Sequence, residues 1–225
     1  MCGRYTRKEQ LESLLELLKA VIRCDLPPRY NIAPSQMVPC VRHAPENGHR
    51  ECVLLKWGLI PSWAKDPSIG NRMINARADT VAQKPSFRKA FKHRRCLVIA
   101  DGFYEWKREG KAKQPYYIRF KDSRPFGFAG LWESWSDKTQ EEGSTIDSCT
   151  IITTDADELM ESIHPRMPVI LDTKSFDVWL DPAVTDAALL TPLLASYPSD
   201  ELEAFPISTR VNNPRVEGPE CLEPA

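Results

Sequence analysis

The chain has 225 residues, 42% hydrophobic and 27% charged, which is enough apolar material for one large domain with a packed core. A formal net charge of −1 excludes a uniformly basic protein, and no apolar run approaches the ~20 residues of a membrane helix. The seven cysteines (Cys2, Cys24, Cys40, Cys52, Cys96, Cys149, Cys221) form no C-x-x-C pair and none has a histidine at ligand spacing. That argues against a metal site or a disulfide framework.

In chain order, Met1-Cys2-Gly3-Arg4-Tyr5 lacks the apolar core of a signal peptide, so a cytoplasmic protein is expected. Thr6-Arg7-Lys8-Glu9 has the spacing of a helix capping box. Leu11, Leu14, Leu15, Leu18 and Ile22 then repeat at helical spacing, so one amphipathic helix is expected to anchor the N-terminus and end before Pro27-Pro28. Six apolar runs with β-branched and aromatic content read as strands: 37–41, 52–57, 96–100, 116–120, 126–132 and 149–153. Cys96 and Cys149 sit in two of them as core residues.

Ser86–Arg94 reads as a short helix with Phe87 and Phe91 turned inward, and Asp155-Ala156-Asp157-Glu158 as a capped helix start. Residues 176–180 and 187–195 are further helices, and the Pro- and Asn-rich tail after Arg210 is expected to be irregular. Strands in the middle with helices at the ends imply an α+β protein, a single domain over residues 1–225 on mainly antiparallel sheet.

Charge is unevenly distributed. Residues 1–125 hold 25 Lys and Arg against 12 Asp and Glu, whereas residues 126–225 hold 5 against 19. A basic surface for phosphates is one reading of this asymmetry, and a solvated mixture of charges is the other.

The residue with the most distinctive chemistry is Cys2. A Met followed by a small side chain is normally removed, which leaves an amine and a thiol on one residue. Their ordinary pKa values, about 8 and about 8.5, give both a nucleophilic fraction near neutral pH. A 1,2-aminothiol condenses with an aldehyde through its amine and closes a thiazolidine ring through its sulfur. Taken singly, Cys2, Glu105 and His164 fit ordinary exposed, surface-strand and capping or core positions better than functional ones, and Asn75 fits a turn.

Their joint setting is more specific. Met1-Cys2-Gly3-Arg4-Tyr5, Tyr30-Asn31-Ile32-Ala33-Pro34, the segment from Trp57-Gly58 to Ser62-Trp63 with Asn75-Ala76-Arg77, Asp101-Gly102-Phe103-Tyr104-Glu105-Trp106-Lys107, and Ile163-His164-Pro165-Arg166-Met167-Pro168 occur in order. Together they closely resemble the SRAP (SOS response-associated peptidase) family, from residue 1 to about 215.

The resemblance implies a barrel-like β-core with flanking helices, no cofactor, and abasic single-stranded DNA as a covalent partner of a monomer, nucleoid-associated if bacterial. It implies Cys2 as the thiazolidine-forming residue and Asn75 as an orienter of the terminal amine and the opened sugar. Glu105 becomes the proton-transfer group of imine formation, and His164 the group that helps open the deoxyribose. Arg4, Arg77 and Arg166 become phosphate contacts. Asn31, Pro34 and Trp63 become further DNA contacts, with Trp63 stacking on bases while Trp57 stays in the core.

Abasic-site lyase and autopeptidase activities come with the resemblance. An N-terminal-nucleophile amidotransferase, which also begins Met-Cys-Gly, and a non-covalent single-strand binder are the competing readings.

Overall fold

The computed structural model describes residues 2–9, 11–45, 48–110, 112–137 and 144–225. The strands are β1 (Tyr5–Arg7), β2 (Val21–Ile22), β3 (Arg29–Ile32), β4 (Met37–His43), β5 (Arg50–Trp57), β6 (Asn75–Arg77), β7 (Arg95–Ala100), β8 (Gly102–Glu109), β9 (Ala112–Phe120), β10 (Phe126–Ser136), β11 (Thr145–Asp155), β12 (Arg166–Pro168) and β13 (Leu202–Pro206). Between them lie short helices, α1 (Glu12–Leu17), α2 (Arg88–His93), α3 (Glu158–Glu161), α4 (Phe176–Leu180) and α5 (Ala187–Leu190).

Strands β11, β10, β7, β4 and β5 run side by side, and a parallel pairing of Cys149 with Trp57 joins β11 back to β5. The ring closes into a five-stranded barrel, which leaves those strands no edge. Cys40, Cys96 and Cys149 come from strands that are not all neighbours, yet all three are fully buried in one apolar cluster. They therefore point into the barrel. Gly130 makes room there, since a Cβ would stand 2.9 Å from the Cys96 sulfur.

Alternate residues of the same strands face outward. Leu97 and Ile99 of β7 pack with Phe91 of α2 and Trp179 of α4, which explains why β7 is apolar from Cys96 to Ala100. Each fully buried Trp, Phe or Leu contributes about 1.5–3 kcal/mol.

A second sheet, ordered β13-β9-β8-β1-β3, covers one end of the barrel. Tyr5 of β1 reaches across and meets Trp57 and Phe128 edge-on, at centroid distances of 5.4 and 5.9 Å. The α+β assignment and all six strand runs hold, as do α4 and the inward Phe87 and Phe91. Strands also occupy both ends of the chain, against the expectation of terminal helices.

Two expectations are corrected. Thr6 does not cap a helix. It lies in β1, and its hydroxyl donates to Asp101, whose other carboxylate oxygen accepts from the Lys8 and Glu9 backbone N–H groups. The helix starts only at Glu12 without a side-chain cap, and Ile22 leaves it for an exposed edge strand. Pairing with β8 and a buried acceptor on a distant strand outcompete the local box.

The tail after Arg210 is not loose either. Two 3₁₀ turns, Thr209–Asn212 and Pro219–Leu222, bury Val211 and Cys221 against Tyr104 and Tyr117.

Candidate functional site

The site is built where β8 outruns its neighbour. Tyr5 of β1 lies opposite Phe103, and Tyr104 N–H donates to Arg4 O at 3.0 Å. Continuing that register sets Gly3 across from Glu105, with Cys2 one residue further. Cys2 is buried in the same apolar cluster as Tyr5 and Phe103. Burial, and then the neighbouring Glu105 charge, pushes its thiol well above the usual range, against opposite pulls from the chain's amino terminus and a backbone hydrogen bond to Arg4. In the chain that still carries Met1, burial thus opposes the thiolate fraction expected of an exposed terminus.

Glu105, buried at 2% exposure, and His164 line one cleft of about 400 Å³ together with Trp106, Arg108, Lys113 and Asn212. His164 follows α3, whose first turn is capped by Asp157 on Met160 N–H. The turn closes around the imidazole, with Nδ1 3.1 Å from Arg166 N and 3.0 Å from Arg166 O. An Nδ1 accepting from Arg166 N–H leaves the ring proton on Nε2. Trp106 Nε1 donates to Asn212 Oδ1 at 2.7 Å, so the C-terminal segment forms part of the wall.

Asn75 begins β6, opposite Ile151 of β11. Its amide donates to Ile151 O at 3.4 Å, and its Oδ1 is buried with no hydrogen-bond partner among the described residues. Such an acceptor suits an ammonium or hydroxyl donor.

Arg77 and Arg166 lie on β6 and β12, on the two sides of β11, and each already holds a carboxylate. Arg77 reaches Asp79 at 2.7 Å, and Arg166 reaches Asp155 and the Thr153 carbonyl at 2.6 Å each.

Arg4 is turned inward to Asn31 Oδ1 at 2.6 Å and Val211 O at 2.8 Å. Asn31 is fully buried, and its amide donates to Val211, Asn213 and Val216 carbonyls. Its side chain thus locks the tail behind Arg4 instead of facing solvent.

Pro34 is half-buried in the turn after β3. Trp63 stands in a separate place. Gly58, at φ +130°, turns the chain out of β5, and a Cβ there would come within 2.6 Å of Gly70 O. The loop beyond it exposes Trp63 at 58% while Trp57 is sealed in the core. Beside Trp63 is a second hollow of about 420 Å³, walled by Trp135, whose Nε1 holds Ala64 O at 2.7 Å.

Residues 1–214 match the family described as SOS response associated peptidase (SRAP). The chain belongs to the SRAP family. It is 44% identical to the abasic site processing protein YoqW of Bacillus subtilis, over 99% of both chains. It is 31% identical to the abasic site processing protein YedK of Escherichia coli, over the whole of both. A crystal structure of a protein from Bacteroides thetaiotaomicron superposes with a TM-score of 0.88 at 28% identity, covering both chains completely.

Within this SRAP chain, sequence reasoning passed over Trp106, Arg108, Lys113 and Asn212 in the cleft wall. Trp106 sits inside a recognised motif, but its indole partner is about a hundred residues away. Nothing in the sequence announces that contact.

Proposed function

We propose that this SRAP protein handles abasic sites in DNA, and that it does so by capturing the lesion covalently on Cys2 after Met1 is removed. The observation that carries the reading is the electrostatic contact of buried Cys2 with Glu105, whose carboxylate also lines the cleft that holds His164. Relatives named as abasic site processing proteins support the substrate class.

In this reading the strand lies along β11 and the cleft, and His164 donates to the sugar as the deoxyribose ring opens to its aldehyde. The Cys2 amine, held by Asn75 Oδ1, attacks C1′ to give a carbinolamine. Glu105 protonates the departing hydroxyl, and water leaves as the imine forms. The Cys2 sulfur then bonds to C1′ while its proton passes to the imine nitrogen, closing the thiazolidine. A protonated thiol fits this order: the amine acts first, and sulfur is needed only after the imine exists.

An imine at C1′ also acidifies the adjacent carbon, so slow β-elimination of the 3′ phosphate accompanies capture. An autopeptidase step would serve only to expose Cys2.

The test is a denaturing gel of purified protein with a single-stranded oligonucleotide carrying one abasic site. A heat-stable shifted band with wild type, absent with Cys2→Ala and with undamaged DNA, is expected. Absence of that band from protein whose Met1 is proven lost would overturn covalent capture. Equal protection of the lesion by Cys2→Ala would favour plain binding.

A further inference from the structure

We propose that Arg108 and Lys113 form a phosphate site for the DNA strand that enters the Glu105–His164 cleft. The inference rests on the abasic-DNA reading above and extends it to the path of the strand.

The two residues face each other directly across the β8–β9 hairpin. Like charges at opposed positions of an antiparallel pair are destabilising, so the arrangement implies an anion that offsets them. Both side chains are exposed and line the same cleft as Glu105 and His164.

The other arginines near the site differ from this pair. Arg77 is held by Asp79, Arg166 by Asp155, and Arg4 by Asn31 and a carbonyl. Among the described residues Arg108 and Lys113 hold no such partner. Among the described residues they therefore border the cleft without a carboxylate in hydrogen-bond reach.

They also stand on rigid structure. Trp106, two residues before Arg108 on the same strand face, is pinned by Asn212, and Gln114, next to Lys113, donates to the Ile207 carbonyl at 2.8 Å. Paired cations on a fixed strand suit the repeating charge of a phosphodiester backbone. Arg77 and Arg166 would hold the strand along β11, and the hairpin would hold it where it leaves the lesion.

The experiment compares wild type, Arg108→Ala/Lys113→Ala and the charge-preserving Arg108→Lys/Lys113→Arg at several salt concentrations. Capture rate is read with single-stranded oligonucleotides whose abasic site lies centrally, near the 5′ end or near the 3′ end. Binding of the same DNA is read by fluorescence anisotropy in a Cys2→Ala background.

The alanine pair should bind at least fivefold more weakly at moderate salt. Its log–log salt slope should be shallower by about 1.4, as for two single-strand phosphate contacts at about 0.7 each. The charge-preserving pair should match wild type, and the deficit should disappear with one of the two end-placed substrates. Identical salt slopes for wild type and the alanine pair would overturn the inference. Failure of wild type to form any adduct would instead sink covalent capture, while the anisotropy slopes would still decide the phosphate site.

Discussion

The barrel interior and the end of β8 hold the same kind of residue in similar surroundings, and they differ in what can reach it. Cys40, Cys96 and Cys149 lie in the barrel, and burial pushes the Cys40 and Cys149 thiols up. Cys2 is as buried as they are, and its thiol is pushed up by the same cause. The barrel strands are paired all round, however, whereas β8 loses β1 at Tyr5 and opens a cleft beside Glu105. In the proposed reading, the difference between the two kinds of cysteine lies in where a sheet runs out of partners, and not in exposure or thiol acidity.

The sharpest way to break this comparison is to exchange the two kinds of cysteine for alanine. Cys2→Ala should lose the heat-stable DNA adduct completely while staying folded, at a stability cost of about 1 kcal/mol that matches the one expected of a barrel cysteine. Cys149→Ala should keep the adduct and lose about 1 kcal/mol of stability, read by urea denaturation, from the small cavity it leaves. A Cys149→Ala protein that fails to cross-link while still folded would end the distinction.

Glu105→Gln keeps the shape of the cleft and removes its proton carrier. Single-turnover adduct formation should slow by about 10²-fold or more, with the fold intact by circular dichroism. A rate within a factor of two of wild type would show that Glu105 is only packing.

Trp63→Ala tests the region outside the cleft. If Trp63 stacks on bases as proposed, affinity for single-stranded DNA should fall by about 1–3 kcal/mol, with no change in thermal stability because the ring is exposed. Calorimetry showing a destabilised fold and unaltered binding would make it a structural residue.

The smallest effect concerns the tail. Burial pushes the Glu217 carboxyl up, but the Arg29 guanidinium and the Asn31 and Tyr30 backbone N–H groups outweigh that and hold it below the usual range. A depressed carboxylate stabilises the fold above its unfolded value and loses that contribution as pH falls through the folded one. Glu217→Gln should therefore melt below wild type at neutral pH, and the difference should vanish in acid below the ordinary carboxylate range. A gap that persists in acid would mean that the charge of Glu217 is irrelevant to the latch.

Much of this was legible because the relevant physics is local. The run Cys96–Ala100 reads as a buried strand from its composition alone, and Trp57 and Trp63 separate into core and surface by the polarity of their segments. Asp157 caps α3 from the residue just before it. Other readings needed an acceptor or a neighbour from far along the chain. Thr6 has the right spacing for a cap, but Asp101 takes its hydroxyl. Asn31 stands in a family motif, yet the carbonyls that occupy its amide belong to the tail.

By itself the sequence determined six strand runs, most of the short helices and the chemical inventory, because periodicity, β-branching and residue type act within a few positions. It also carried the family, through five motifs in order. Only the tertiary structure decided that β5 meets β11 to close the barrel, that β1 stops short of Glu105, and that among the described residues Arg77 and Arg166 are paired with carboxylates while Arg108 and Lys113 are not. Those outcomes depend on which strands become neighbours and which charges find counter-charges, and both are settled by contacts between residues distant in the chain.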